Sequence, residues 1–223
     1  MKTWMRANKG FLMFILLFGV FRTAVADWNP IPSASMRPNL LEGDVVFVNR
    51  LAFNLKVPLT DIVLQRLGEP RRGDIVTFSS PRDGTRLIKR IIALPGDTVE
   101  MRDEQLIING RAARYTALDT APETIAHVGQ LTAQRISERS DTEQHRIQVL
   151  PQIAGAARSF AAVTVPAEHF MMLGDNRDNS ADSRYFGFVP RKLLIGKAER
   201  ILVSADIEDH WQPRLQRFGM KLE

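Results

Sequence analysis

The sequence contains no cysteine among its 223 residues, which excludes disulfides, thiolate metal sites and cysteine nucleophiles. It also has no Gly-x-Ser-x-Gly and no Ser-x-x-Lys motif, which argues against α/β-hydrolases and penicillin-binding proteins. Apolar residues make up 44% of the chain and charged residues 25%, an ordinary globular composition that excludes extensive disorder and fibrous repeats.

Acidic residues are absent from residues 1–26, although this segment carries four basic ones. They are Lys2, Arg6, Lys9 and Arg22. Because the whole chain has a net charge of +5 and these four account for +4, the rest carries only +1. A basic surface that neutralises phosphates is therefore not indicated, and we expect no nucleic acid partner.

Only one long apolar run occurs, from Phe11 to Phe21, and Ala24-Val25-Ala26 follows it. One interpretation is a cleavable signal peptide, because a basic start, an apolar stretch and a small-x-small site are its three parts. The other is a retained membrane anchor over residues 10–26, about 25 Å of helix against roughly 30 Å of hydrocarbon. Either way, the positive-inside rule predicts a cytoplasmic amino terminus and an exported body after residue 27.

The body consists of short β-type segments separated by Gly, Pro, Asp and Asn, without regular alternation of strands and helices. Asn109-Gly110, after an apolar segment, is a strong hairpin signal. We expect helices only at three stretches, residues 60–67, 121–138 and 191–195. The sequence thus predicts a mainly antiparallel β protein, and the more polar residues 111–164 have the character of an insert.

Ser35 is a candidate nucleophile in the segment Pro32-Ser33-Ala34-Ser35-Met36-Arg37-Pro38. The two prolines restrict the backbone, so the hydroxyl of Ser35 can be presented while Ser33 and local N–H groups face a developing oxyanion. The alternative is a Pro/Ser-rich linker after a helix.

A nucleophilic serine needs a base, and Lys89 is one candidate. Strand periodicity places Lys89 on one face with Leu87 and Ile91, where burial would lower the pKa of its amine. Alternation does not choose between this face and the face of Arg90, and an edge-strand lysine that extends to water is the alternative. The four histidines lie in no triad context, which leaves a Ser-His-Asp triad unsupported without excluding it. They are His127, His145, His169 and His210.

Residues 174–184 are rich in Asp and Asn, a composition that first suggests calcium. The EF-hand pattern fails, because Arg177, Ser180 and Phe186 stand at its third, sixth and twelfth positions. We expect no metal and no other cofactor. Alternating Asp and Arg can instead form paired charges that brace a site, and a solvated polar turn is the alternative.

Taken in order, these segments resemble the type I signal peptidases, serine–lysine proteases that remove signal peptides from exported proteins. Residues 32–38 match the nucleophile box of that family, and Leu41-Glu42-Gly43-Asp44 with the strand after it matches the second box. Residues 72–97 resemble the general-base region, and residues 174–190 resemble the last box. The resemblance covers roughly residues 10–110 and 165–205.

The resemblance implies roles for individual residues. Ser35 would be the nucleophile and Lys89 the general base of a dyad. Ser33 and the backbone N–H of Ser35 would bind the oxyanion, and Ser180 would orient the amine of Lys89. Four residues would form a supporting charge network, namely Arg90, Asp175, Asp182 and Arg184.

The resemblance also implies a mainly β catalytic core with a β-rich insert, preceded by one transmembrane helix. The expected parts are a cytoplasmic tip and anchor, a discontinuous core, an inserted subdomain and a basic tail. Their bounds are residues 1–27, 28–98 with 165–210, 99–164 and 211–223. Its partners would be membrane lipid and the signal peptides of preproteins, cut after Ala-x-Ala at the bacterial cytoplasmic membrane. Two alternatives are a dedicated protease of the same family with a pilin or conjugation-linked client, and a non-catalytic exported peptide-binding module.

Overall fold

A computed structural model describes residues 4, 7–57, 60, 62–125, 128–141, 143–207 and 209–222. The predictions that concern Lys2, Arg6 and His127 lie outside the described residues.

One helix, α1 (Lys9–Ala24), precedes a body built from short strands. The strands are β1 (Ala26–Pro30), β2 (Asp44–Asn49), β3 (Asn54–Lys56), β4 (Val63–Arg66), β5 (Ile75–Ser79), β6 (Arg86–Ala93), β7 (Thr98–Arg102), β8 (Gln105–Ile108), β9 (Arg111–Ala112), β10 (Arg114–Ile125), β11 (Gly129–Arg139), β12 (Gln144–Val149), β13 (Phe160–Thr164), β14 (His169–Leu173), β15 (Val189–Pro190), β16 (Leu194–Asp206) and β17 (Gln212–Pro213). The short helical elements are α2 (Ser183–Phe186) and the 3-10 helices Ala34–Met36, Arg191–Leu193 and Leu215–Arg217. The mainly β fold expected from the sequence is thus confirmed.

The largest sheet has eight strands in the order β1-β2-β16-β5-β6-β14-β15, with β17 paired to β16. Adjacent residues of its strands contact different cores, as the period of two requires. On β5, Ile75 packs with Val46 and Val48 of β2, whereas Val76 and Phe78 pack in a cluster with Ile91. The sheet is therefore covered on both faces at its central strand β5, and β6 lies next to it.

Strands between residues 98 and 164 form two further sheets, β13-β7-β8-β9 and β10-β11-β12. The eight-stranded sheet takes its strands from residues 26–93 and 169–213, so the chain leaves it and returns. The four-part division of the chain predicted above stays a prediction.

Two of the predicted helices are wrong, and the third is short. Residues 63–66 are β4, and residues 121–125 and 129–138 belong to the paired strands β10 and β11. The Ala, Glu and Gln content of 121–138 favours a helix locally, but pairing along the whole hairpin overrides that preference. Pro122 is tolerated because β10 is an edge strand. Within 191–195, only a 3-10 helix forms before β16 begins.

Helix α1 has 16 residues and buries none of them. Among the residues that the structure describes, no helix is both long enough and apolar enough to cross a membrane.

The carboxyl-terminal tail is docked on the core and is not free in solvent. Arg217 forms an ion pair with the fully buried Asp44, with a shortest N–O distance of 2.6 Å. The N–H of Gly219 donates to the carbonyl of Ile201 at 2.7 Å, and Leu222 packs against the core cluster that contains Val46. Its basic side chains thus serve in part as internal contacts.

Candidate active site

Ser35 lies in the 3-10 turn Ala34–Met36, between β1 and β2, and is 9% exposed. The turn is held from below because Met36 and Leu40 are fully buried in the core. The N–H of Leu40 donates to the carbonyl of Met36 at 2.9 Å, which closes the segment locally. Ser35 is therefore carried by a short turn whose next residue, Met36, is fixed in the core.

Lys89 comes from β6 and meets this hydroxyl. Its Nζ donates to Ser35 Oγ at 2.6 Å and to the carbonyl of Ile88 at 3.0 Å. The hydroxyl of Ser33 lies 3.4 Å from Ser35 Oγ. Three of the residues predicted for the site are thus adjacent, although they are up to 56 positions apart in the sequence.

Burial lowers the pKa of Lys89 from 10.5 to about 8. Asp182 and Asp175 act in the opposite direction, because negative charge stabilises the ammonium. Lys89 is only 3% exposed and makes no ion pair within the described residues, so desolvation has the larger effect. A substantial fraction of the amine is therefore neutral near pH 8 and able to accept a proton.

Arg90, the next residue, is buried on the opposite face of β6 and is fully paired. Its guanidinium donates twice to Asp175, both at 2.9 Å, and once to the carbonyl of Gly73 at 2.8 Å. Asp175 also accepts from Asn39 Nδ2 at 2.6 Å. Burial opposes ionisation of Asp175, but Arg90 and Asn39 outweigh it and lower the pKa of the carboxyl.

Asp182 and Arg184 form a second pair, separate from the first. Arg184 donates to both carboxylate oxygens of Asp182 at 2.8 Å, and Asp182 also accepts from the N–H of Gly174 at 3.0 Å. The charge network expected from the sequence therefore consists of two pairs, one at each end of the loop that follows β14.

Ser180 is buried beside the site, but no hydrogen bond joins it to Lys89. Within the described part of the chain, Ser180 Oγ has no hydrogen-bond partner. A Cβ added at Gly174 would lie 2.2 Å from Ser180 Oγ and 2.5 Å from the carbonyl oxygen of Ser35. Glycine at 174 therefore lets the loop approach the turn Ala34–Met36 closely. The lysine-orienting role of Ser180 stays a prediction.

The described histidines do not contact Ser35. His145 lies 3.4 Å from Glu138, His169 contacts the carbonyl of Ala167, and His210 contacts its neighbour Asp209. Burial lowers the pKa of His145 to about 4, so it is neutral at ordinary pH.

Sequence reasoning missed several residues that contact the site. Asn176 donates to the carbonyls of Ala34 and Ser35, both at 3.1 Å. Arg37 pairs with Glu42 and with the buried Glu123 of β10, both at 2.8 Å. Asn176 belongs to the polar segment 174–184, whose composition already pointed to a site. Nothing in the sequence around Glu123 indicates that it pairs with Arg37.

The sequence of the chain is similar to known proteins over most of its length. A family model described as signal peptidase, peptidase S26, matches residues 3–203. Signal peptidase I of Pseudomonas fluorescens is 33% identical over 211 residues, which cover 88% of this chain and 72% of that protein. Signal peptidase I of Aquifex aeolicus is 31% identical over 226 residues, 87% of this chain and 83% of that protein. A crystal structure of a signal peptidase I from Enterococcus faecalis is 37% identical, with a TM-score of 0.34, and covers 58% of this chain and 96% of that one.

Proposed function

The chain belongs to the signal peptidases of the peptidase S26 family, and we propose that it cuts exported preproteins with Ser35 as nucleophile and Lys89 as general base. The observation that supports this assignment is the 2.6 Å contact between Lys89 Nζ and Ser35 Oγ. A buried amine without an ion pair in the described residues is what a lysine base requires, since an adjacent paired acid would keep it protonated.

The proposed reaction begins when neutral Lys89 removes the proton from Ser35 Oγ. The oxygen attacks the scissile carbonyl carbon, and the resulting oxyanion accepts hydrogen bonds from the Ser33 hydroxyl and the Ser35 N–H. The C–N bond then breaks, the Lys89 ammonium protonates the leaving amine, and an ester links the signal peptide to Ser35. Water, deprotonated by Lys89, hydrolyses this ester and regenerates both groups.

The substrate is proposed to be an extended segment that ends in Ala-x-Ala and lies beside a strand of the core sheet. Backbone pairing with a strand provides affinity, and small pockets for alternate side chains provide selectivity. The catalytic body would act on the outer side of the bacterial cytoplasmic membrane, where signal peptides emerge.

We propose that α1 is the membrane anchor of the enzyme. With 16 residues it spans about 24 Å, less than the roughly 30 Å of hydrocarbon, so Lys9 and Arg22 would extend from its two ends to the two interfaces. Its apolar side chains are exposed, with Phe11, Phe14 and Leu16 each at 61%, and membrane lipid is the partner that such a surface fits. Strand β1 begins two residues after α1 ends, and the turn that carries Ser35 begins at residue 34. The short connection would keep the site close to the bilayer surface.

The test is cleavage of a preprotein with an Ala-x-Ala site, in detergent, with the new amino terminus sequenced. Ser35→Ala and Lys89→Ala should each lower kcat by at least about 1,000-fold, as loss of a nucleophile or its base does. Ser204→Ala and Lys56→Ala are matched controls, because both residues are buried and lie outside the site. Full activity of either dyad variant would refute the assignment, and failure of the folded wild type to cut would refute the function.

A further inference from the structure

The loop that follows β14 is paired with the insert along its main chain. The N–H of Gln148, on β12, donates to the carbonyl of Asp175 at 2.8 Å, and the N–H of Arg177 donates to the carbonyl of Gln148 at 2.8 Å. Gln148 and Asn176 thus form a parallel β-bridge. The insert, remote in sequence, supplies the strand against which residues 175–177 are fixed.

A buried ion pair holds the same loop to the next strand of the insert. Arg177 donates to both carboxylate oxygens of Glu138, on β11, at 2.7 and 2.8 Å, and the Tyr115 hydroxyl donates to Glu138 at 2.9 Å. Arg177 is 3% exposed and Glu138 is 2% exposed. A two-pronged contact of this kind fixes orientation as well as distance.

Asn176 lies between these contacts and points the other way, toward the nucleophile. Its N–H donates to the carbonyl of Ser35 and its Nδ2 to the carbonyl of Ala34, both at 3.1 Å. It is fully buried. Lys89 lies on β6, which is paired with β5 on one side and β14 on the other. Ser35 lies in a three-residue turn, which the buried Met36 anchors to the core and Asn176 holds through the carbonyls of Ala34 and Ser35.

We propose that Asn176 is a positioning residue for Ser35, and that the insert holds Asn176 in place through Gln148 and Glu138. The inference rests on the proposed role of Ser35 as nucleophile. It gives the insert a part in the reaction: the insert fixes the height and direction of the nucleophile turn without touching the reacting atoms. A misplacement of about 1 Å can cost 100-fold in rate, so the support has a kinetic effect.

The kinetic test compares Asn176→Ala, Glu138→Gln and the double variant with the wild type on the same preprotein. Asn176→Ala removes the bond from Nδ2 to the carbonyl of Ala34 and keeps the main-chain bond to Ser35. It should lower kcat per folded molecule about tenfold with KM within about twofold, because the lost bond aligns the nucleophile and does not bind substrate. Glu138→Gln should lower kcat in the same way. The loss in the double variant should be smaller than the product of the two single losses, since Glu138 acts on the turn in part through the Asn176 side chain.

Controls separate positioning from loss of stability. Asp119→Asn removes an exposed ion pair with Arg135 from the same hairpin and should leave kcat unchanged. The pH dependence of kcat/KM should be the same in Asn176→Ala as in the wild type, because the surroundings that set the pKa of Lys89 are intact. Wild-type kcat per folded molecule in both single variants, or fully additive losses in the double variant, would overturn the inference.

Amide hydrogen exchange tests the same support without any activity. In Asn176→Ala and Glu138→Gln, the amides of Arg37 and Leu40, which close the nucleophile turn, should exchange about tenfold faster than in the wild type. Asp119→Asn should leave them unchanged. If the wild type does not cut a preprotein, the proposed function fails while this measurement still decides the inference; unchanged exchange in both variants would overturn it.

Discussion

Replacing Lys89 by methionine should abolish cleavage and, at neutral pH, make the protein more stable. The folded state lowers the pKa of Lys89 from 10.5 to about 8, so folding disfavours the ammonium. A shift of this size corresponds to roughly 3 kcal/mol at pH values below the folded pKa. Methionine has a similar length and no charge, and therefore does not carry this cost.

The sign of the pH dependence follows from proton binding. Between pH 8 and 10.5 the unfolded chain holds a proton on Lys89 that the folded chain has released, so wild-type stability rises with pH across this window. The advantage of Lys89→Met over the wild type should therefore shrink by roughly 2 kcal/mol between pH 7 and pH 10. All other titrating groups are common to both proteins and cancel in the difference.

Urea unfolding of both proteins at several pH values measures this difference, and the rate profile of the wild type checks the same pKa independently. About half of Lys89 is neutral at pH 8 and about 1% at pH 6, so kcat/KM should fall close to tenfold per pH unit below pH 7. A stability difference that stays constant from pH 7 to pH 10 would show that the folded pKa of Lys89 is not lowered. A rate that stays flat into acid would exclude a lysine base.

Two further substitutions probe the surroundings of the dyad. Gly174→Ala would place a Cβ 2.5 Å from the carbonyl oxygen of Ser35 and should lower kcat about 100-fold; wild-type kcat would show that the loop yields freely. Arg184→Gln removes the cation paired with Asp182, whose charge already raises the pKa of Lys89. The acidic limb of the rate profile should therefore move to higher pH, and a shift to lower pH would contradict this account.

Strand periodicity could not decide between Lys89 and Arg90 as the buried residue of β6, and the fold shows why. Alternation on β6 left open whether the face of Lys89 or the face of Arg90 is buried, yet residues 89–93 are buried on both faces. For a strand that is covered on both sides, alternation cannot show which face is buried, because distant segments of the chain supply the layers on each face. The segments that identify the family could be recognised in the sequence because each is continuous along the chain.

Long-range contacts were beyond the reach of sequence reasoning. A helix was expected over residues 121–138, but residues 121–125 and 129–138 form paired strands, and local composition does not indicate the partner of either strand. The β-bridge between Gln148 and Asn176 is formed by main-chain atoms, so no pattern of side chains in the sequence predicts it. Nothing in the sequence around Glu138 distinguishes it from other polar strand residues, and its ion pair with Arg177 appears only in the folded chain.

The two carboxylates near Lys89 are each paired with an arginine, and this pairing limits their effect on the pKa of Lys89. Asp175 and Asp182 both raise the pKa of Lys89, and left alone, two buried carboxylates would keep the amine protonated. Each is instead paired with its own arginine, Asp175 with Arg90 and Asp182 with Arg184. The carboxylates can then organise the loop beside Ser35 by accepting hydrogen bonds, while the paired arginines neutralise much of their charge locally. Desolvation is left as the larger influence on the pKa of Lys89, which suits the amine to the proposed role of a base near pH 8.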